Sequence, residues 1–174
     1  NEKASLLLEA LFNNGFVDKE DDKYSLNPLS EYLTEKHPES LKYACMNWSG
    51  THMSAWQNLS YTIATGKSAF EDESYHFQQP YFDLINGLPA ERQFYQKAMN
   101  EYARDDYRNL PDLVDFGKFK SVMDVGGGYG VLLKKLKKKY PNLNCTLFEQ
   151  LKVLGDICLD YEFFNQTHGN FFEE

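Results

Sequence analysis

The sequence predicts a mixed fold, a mainly α-helical first part followed by an α/β part with a nucleotide-type βαβ opening. Three observations predict it. Residues 122–130 read V-M-D-V-G-G-G-Y-G, an apolar run with one acidic residue and then four glycines, the pattern of a strand turning sharply into a helix. Behind them come an amphipathic stretch and a second apolar run that ends in Glu149. Ahead of them, apolar residues recur mostly at helical spacing up to about residue 110.

Element by element, residues 3–14 carry Leu6, Leu7, Ala10 and Leu11 at helical spacing, and Asn13-Asn14-Gly15 ends that helix. Residues 16–26 hold two short apolar pieces around the charged turn 18–23, a hairpin pattern. Asn27-Pro28 opens another helix, since a proline in the first turn loses no intrahelical bond. Helices are expected at 38–47, 52–64 and 89–107, and Leu110-Pro111-Asp112 marks the passage to the α/β part. There residues 121–125 form the first strand. Val131, Leu132, Leu133 and Leu136 give the next helix its apolar side, with Lys134, Lys135, Lys137, Lys138 and Lys139 on the other. That run can be read as a nucleic-acid patch or as a solvated face whose cations complement the helix C-terminus. The acidic balance of the chain favours the second. Pro141-Asn142 breaks the helix, residues 143–149 (L-N-C-T-L-F-E) form a second strand, and residues 160–168 lead to a third, with Gly169-Asn170-Phe171-Phe172 at its end.

The glycines carry the chemistry. A helix start leaves backbone N–H groups without intrahelical partners, and glycines let a ligand approach them. A dinucleotide fingerprint needs G-x-G-x-x-G, but counting from Gly126 and Gly128 the third position is Val131, and from Gly128 and Gly130 it is Leu133. What stands here is Asp124-x-Gly126-x-Gly128-x-Gly130. In a βαβ nucleotide fold an acidic residue at the tip of the second strand takes the ribose hydroxyls, and Glu149, 23 residues after Gly126, fits that place. Its competing reading is an ordinary surface glutamate. Asp124 is expected to steady the loop by accepting backbone N–H bonds.

The D-x-G-x-G-x-G loop resembles that of class I S-adenosylmethionine-dependent methyltransferases. The order D-V-G-G-G-x-G, K-Y-P, F-E-x-x-x-V-L and G-N-F-F resembles, more narrowly, the plant- and bacterial-type small-molecule O-methyltransferases. Residues 7–33 are similar to that family's winged-helix segment, and residues 56–70 and 92–103 to its middle segments. The resemblance implies a winged-helix-like part at 1–110 that serves dimer formation and covers the acceptor, and the first half of a Rossmann-like methyltransferase domain at 111–174. It implies S-adenosyl-L-methionine as cofactor, a small hydroxyl-bearing acceptor and a homodimer. On the cofactor it places Asp124, Gly126, Gly127, Gly128, Gly130 and Glu149, with Asn170 and Phe171 toward adenine. It places Phe94 and Met99 beside cofactor and acceptor. Arg92, on the same helix, could pair with the cofactor's carboxylate or form a surface ion pair.

Composition narrows the classes further. Apolar residues make up 42% of the chain and charged residues 25%, enough for a real core. The net charge of −8 disfavours nucleic acid as the main partner. Cys45, Cys145 and Cys158 are too scattered for a disulfide framework or a zinc site, and no metal is expected. With no long apolar span or signal-peptide pattern, a cytoplasmic protein without membrane contact is expected. Aromatic residues reach 16%, many of them between 43 and 107, including Tyr75 and Phe77. Each is expected in the core or an interface before a ligand wall.

A winged-helix segment also invites a DNA-binding reading, but the helix after Asn27 carries Glu31 and Glu35 against Lys36 alone. Relatives have a seven-stranded sheet and, well past this point, a His-Asp-Trp-type segment with the general base. None of His37, His52, His76 or His168 occupies that motif, so the expectation is a fragment of a longer enzyme that carries the cofactor half-site. A non-catalytic, methyltransferase-like binding protein is the alternative. The family usually has Asp where Glu149 stands and Gly-Asp where this chain has Gly169-Asn170. Asp156 and Asp160 are expected as solvated helix carboxylates.

Overall fold

The computed structural model describes residues 2–74, 78–157 and 163–173. The expectations for Tyr75, His76, Phe77, Cys158 and Asp160, and for the approach to the third strand at 160–162, lie outside the described residues.

The chain opens with helix α1 (Glu2–Asn13), which ends as expected at Gly15, whose φ of 76° is open to glycine. An antiparallel hairpin follows, β1 (Val17–Glu20) on β2 (Lys23–Leu26), in the register Val17↔Leu26 to Glu20↔Lys23. The turn is therefore Asp21-Asp22 alone, with Asp21 at φ 53°, and not the whole of 18–23. Aspartate tolerates that left-handed conformation, which lets the charged residues on either side pair as strand. Glu9 of α1 pins the hairpin, accepting from Lys19 Nζ at 2.7 Å and from the Tyr24 hydroxyl at 2.6 Å.

Helix α2 (Pro28–Glu31) is a single turn. Asn27 Oδ1 accepts the Leu29 and Ser30 N–H groups while Ser30 Oγ accepts the Asn27 N–H, a reciprocal cap that starts the helix at the expected place. Glu35 and Lys36 lie beyond its end. Helix α3 (Lys42–Asn47) begins four residues later than expected. Its first amides are met by Glu101, which accepts from Tyr43 N at 3.2 Å and Ala44 N at 2.7 Å. A π-turn at Trp48–His52 joins α3 to α4 (Met53–Gln57), and Asn58 separates α4 from α5 (Leu59–Thr65). Helix α6 (Tyr81–Gly87), not anticipated from the sequence, precedes the long α7 (Pro89–Asp106) and the short α8 (Leu110–Leu113).

The α/β part follows the sequence closely. Strands β3 (Ser121–Val125), β4 (Asn144–Glu149) and β5 (Asn165–His168) form a parallel sheet in the order β3-β4-β5, with β4 central. Helix α9 (Val131–Lys139) crosses between β3 and β4, and α10 (Leu151–Asp156) follows β4. Leu133 and Leu136 of α9 pack with Leu143, Cys145, Leu147, Ile157 and Phe164 into one apolar cluster. Burial of each leucine is worth about 2 kcal/mol. On the other side of α9, Lys137 donates to the Leu143 carbonyl and Lys139 to that of Pro111. Among the described residues no helix is long and apolar enough to cross a membrane.

Candidate functional site

Strand β3 hands over to α9 through residues 126–130. Gly126, Gly128 and Gly130 have φ of 71°, 56° and 72°, so alternate residues of the loop sit in the left-handed region. The Gly126 N–H donates to the Phe148 carbonyl at 2.8 Å, which carries the parallel ladder one residue past β3. At Gly128 two demands coincide. Its φ disfavours a side chain, and a Cβ there would lie 2.7 Å from Gln96 Oε1 of α7. A Cβ on Gly127 would lie 2.5 Å from the Asp124 carboxyl carbon and 2.7 Å from Leu147 Cδ1, so this glycine seats the loop on the sheet. Around Gly126 there is room, the nearest atom to a Cβ being Phe171 Cε1 at 3.6 Å.

The register Val125↔Phe148 brings Glu149, the last residue of β4, beside this loop. Its Oε2 accepts the Gly128 N–H at 3.0 Å and its Oε1 accepts the Gln150 N–H at 2.8 Å. The loop-steadying role expected of Asp124 therefore falls to Glu149, because the loop turns its Gly128 amide toward the tip of β4. A carboxylate has about four acceptor sites, so after these two bonds Glu149 retains about two for a diol. Asp124 lies half-buried near Glu149, its pKa raised by burial and then by the Glu149 charge. Burial and then Glu149 likewise raise the Tyr95 hydroxyl, which marks Tyr95 as a further neighbour.

Arg92 is engaged elsewhere in the protein. Its Nε donates to Asp156 Oδ2 at 2.6 Å and its Nη2 to Asp156 Oδ1 at 3.1 Å, while Nη1 donates to the Asn86 carbonyl at 3.1 Å. Both side chains are 9% exposed, so this is a buried fork linking α7 to α10, neither a surface ion pair nor a cation free for the cofactor's carboxylate. Asp156 is correspondingly not a solvated helix carboxylate. The hydrogen bond from Arg92 holds its pKa below the usual aspartate value, against the opposing effect of burial. Beside the pair, burial pushes the Tyr129 hydroxyl up to about 12, with the Asp156 charge adding to it.

Phe94 turns its edge to Tyr43 of α3, with ring centres 5.6 Å apart, and Met99 is half-buried further along α7. Nearer the loop, Tyr95 meets Tyr81 at 5.6 Å and Phe82 at 6.0 Å. Tyr95 and Gln96 were missed as site residues. Stepping four residues along α7 from Arg92 reaches Gln96 on the same face, which is the signal that could have found it. After β5, Asn170 Oδ1 accepts the Phe172 N–H at 3.1 Å and Nδ2 donates to Glu173 at 2.8 Å. That turn sets Phe171 over Gly126.

His37 packs on Tyr32, His52 lies between Trp48 and Tyr81, and His168 pairs in register with Glu149 at the end of β5. Cys145 is a buried free thiol and Cys45 an exposed one. Among the described residues no group of three or more His, Cys, Asp or Glu is arranged to hold a metal ion.

Residues 56–173 match the family profile described as the O-methyltransferase domain. The chain is 28% identical over 135 residues to the phenazine O-methyltransferase of Lysobacter antibioticus, covering 78% of this chain and 39% of that protein. Against the tabersonine 16-O-methyltransferase of Catharanthus roseus it is 27% identical over 165 residues, covering 87% of this chain and 45% of that one. It therefore spans less than half the length of these two relatives. The fold is similar to that of human N-acetylserotonin methyltransferase solved in complex with SAM, with a TM-score of 0.85 at 23% identity over 99% of this chain and 52% of that one. Because the matched residues run through the glycine loop, the tip of β4 and the turn after β5, the chain belongs to the O-methyltransferase domain family.

Proposed function

We propose that this chain binds S-adenosyl-L-methionine in the crevice between the glycine loop and the tip of β4, and forms the cofactor half of an enzyme that methylates a hydroxyl of a small aromatic or polyketide-like acceptor. The observation that carries the reading is the pairing of Gly128 with Glu149. The loop is held by the same carboxylate that keeps acceptor sites free for a ribose diol. The site suits the group, since a Cβ at Gly126 would meet nothing nearer than the Phe171 ring at 3.6 Å, and the missing side chain lets a ligand reach the backbone.

When bound, the cofactor supplies a methyl group already activated on a sulfonium. The chain's own residues bind and orient. Glu149 holds the ribose hydroxyls. The turn of Gly169, Asn170 and Phe171 takes the adenine, with Phe171 offering a ring face and Asn170 the hydrogen-bonding capacity its local bonds leave over. Tyr95, Tyr81 and Phe82 form an aromatic wall for a planar acceptor. Phe94 and Met99 are assigned behind that wall. Arg92 serves by fixing α7 to α10, and reaches a cofactor carboxylate only by leaving Asp156. Alignment of two reactants is the main task in such a transfer. We assign no general base to this chain.

In this reading residues 1–110 are the winged-helix-like unit and 111–174 the beginning of the Rossmann-like domain. Exposed Trp48, Met53, Trp56 and Ile63 are assigned to a second copy, as the resemblance implies; light scattering that finds only monomers would remove that assignment.

Calorimetric titration with S-adenosylhomocysteine tests the cofactor reading. Wild-type protein should bind, and Glu149→Ala should bind at least about tenfold more weakly, the loss of roughly one charged hydrogen-bonding partner. Equal affinities for the two proteins would refute it.

A further inference from the structure

Gln96 is a buried polar residue beside the glycine loop to which no role has yet been given. It lies on α7, is 7% exposed, and among the described residues its amide makes no hydrogen bond. The residue is buried while its amide atoms stay open to solvent beside the loop, which leaves them available to a ligand there. Its Oε1 stands 2.7 Å from the point where a Cβ on Gly128 would be, so the side chain is aimed at the middle of the glycine loop. It is also held there. One turn earlier Arg92 forks onto Asp156, two residues later Ala98 is fully buried, and five residues later Glu101 caps α3, so α7 is held on both sides of Gln96.

We propose that Gln96 contacts the cofactor directly, its side-chain amide holding the amino-acid end of S-adenosyl-L-methionine over Gly128. This rests on the cofactor reading above. The amino-acid end carries an ammonium and a carboxylate on one carbon. A primary amide offers an acceptor to the first and donors to the second, which a guanidinium cannot do. Arg92, the cation expected to meet that carboxylate, is committed to Asp156, and Gln96 stands one turn nearer the loop on the same face. Gly128 is then bracketed by Glu149, which takes the ribose, and Gln96, which takes the group joined to the ribose through sulfur.

Two ligands separate this contact from the rest of the site. S-adenosylhomocysteine has the amino-acid end, while 5′-methylthioadenosine keeps the adenosine and the sulfur without it. Calorimetric titrations of the full chain should show Gln96→Leu weakening S-adenosylhomocysteine about tenfold or more while leaving 5′-methylthioadenosine unchanged. The ligand-free Gln96→Leu protein should melt no lower than wild type, because the substitution breaks no hydrogen bond. Should that variant not fold, Gln96→Glu carries the test. Its charge should weaken S-adenosylhomocysteine and spare 5′-methylthioadenosine. Unchanged S-adenosylhomocysteine affinity, or an equal loss for both ligands, overturns the contact and makes Gln96 a support for the loop. Wild-type protein that binds neither ligand instead overturns the cofactor reading itself.

Discussion

The two halves of the chain hold themselves together by different means. In the α/β half, Leu133, Leu136 and Leu147 are fully buried in one cluster, and the sheet is assembled around them. In the helical half, α1 buries no residue at all, and Leu6, Leu7 and Ile63 are 61–76% exposed. Its buried apolar residues, Ala44, Ala69, Phe70, Ile85 and Ala98 among them, are mostly small and scattered over several elements, and a series of polar clamps adds to them. Glu9 holds the hairpin, Glu101 caps α3, and Arg104 donates to the carbonyls of Glu39 and Ser40. Two of these three clamps come from α7, the helix that also faces the glycine loop. Helix α7 is therefore in contact with both the helical half and the candidate site.

The largest effect should separate the halves most sharply. Leu147→Ala should cost about 4 kcal/mol in denaturant unfolding, a transfer loss plus a cavity in the cluster. Ile63→Ala should cost no more than about 0.5 kcal/mol, as an exposed position. Comparable losses would abolish the distinction. Next, Arg92→Leu should cost about 3 kcal/mol because it leaves the Asp156 carboxylate buried without its partner, and adding Asp156→Leu should recover most of that. A smaller loss, about 2 kcal/mol, is expected for Glu101→Ala, which uncaps α3 from a distance. Asn27→Ala, the local cap of α2, should cost about 1 kcal/mol.

Acidity separates two carboxylates within the α/β half, with opposite signs. Asp156 is held below the ordinary aspartate value of 3.8 by Arg92, so its stabilising contribution is present above 3.8 and fades as pH falls through its lower folded value. Asp124 is raised by burial and by Glu149, so its contribution is complete below 3.8 and is lost as pH rises through its higher folded value. Melting curves should therefore show Asp156→Asn less stable than wild type at neutral pH, with the gap closing in acid. Asp124→Asn should be more stable than wild type at neutral pH, with that gap also closing below 3.8. The reverse order would contradict the environments assigned to the two carboxylates.

How far the sequence was legible follows the same division. Strands β3 and β4 and helix α9 lie where apolar period and punctuation put them, since each is specified by its own residues and by glycine or proline at its ends. Glu149 followed from its place at the end of β4. Its bond to Gly128 did not, because that depends on the register of a parallel pair 23 residues apart. In the helical half the start of α3 was misplaced because its cap is Glu101, more than fifty residues further on. The fork between Arg92 and Asp156 spans 64 positions and leaves no local signal. Charge marks all of 18–23 as a turn in the sequence, whereas in the hairpin only Asp21 takes the left-handed conformation and its neighbours pair as strand.

The central claim is that alternate left-handed glycines and Glu149 build an S-adenosyl-L-methionine site. Calorimetric titration of Gly128→Val with S-adenosylhomocysteine tests it most directly, beside a thermal melt showing that the variant remains folded. A β-branched side chain at φ 56° and against Gln96 should weaken binding about a hundredfold or more relative to wild type. A folded Gly128→Val protein that binds S-adenosylhomocysteine at wild-type affinity would contradict it.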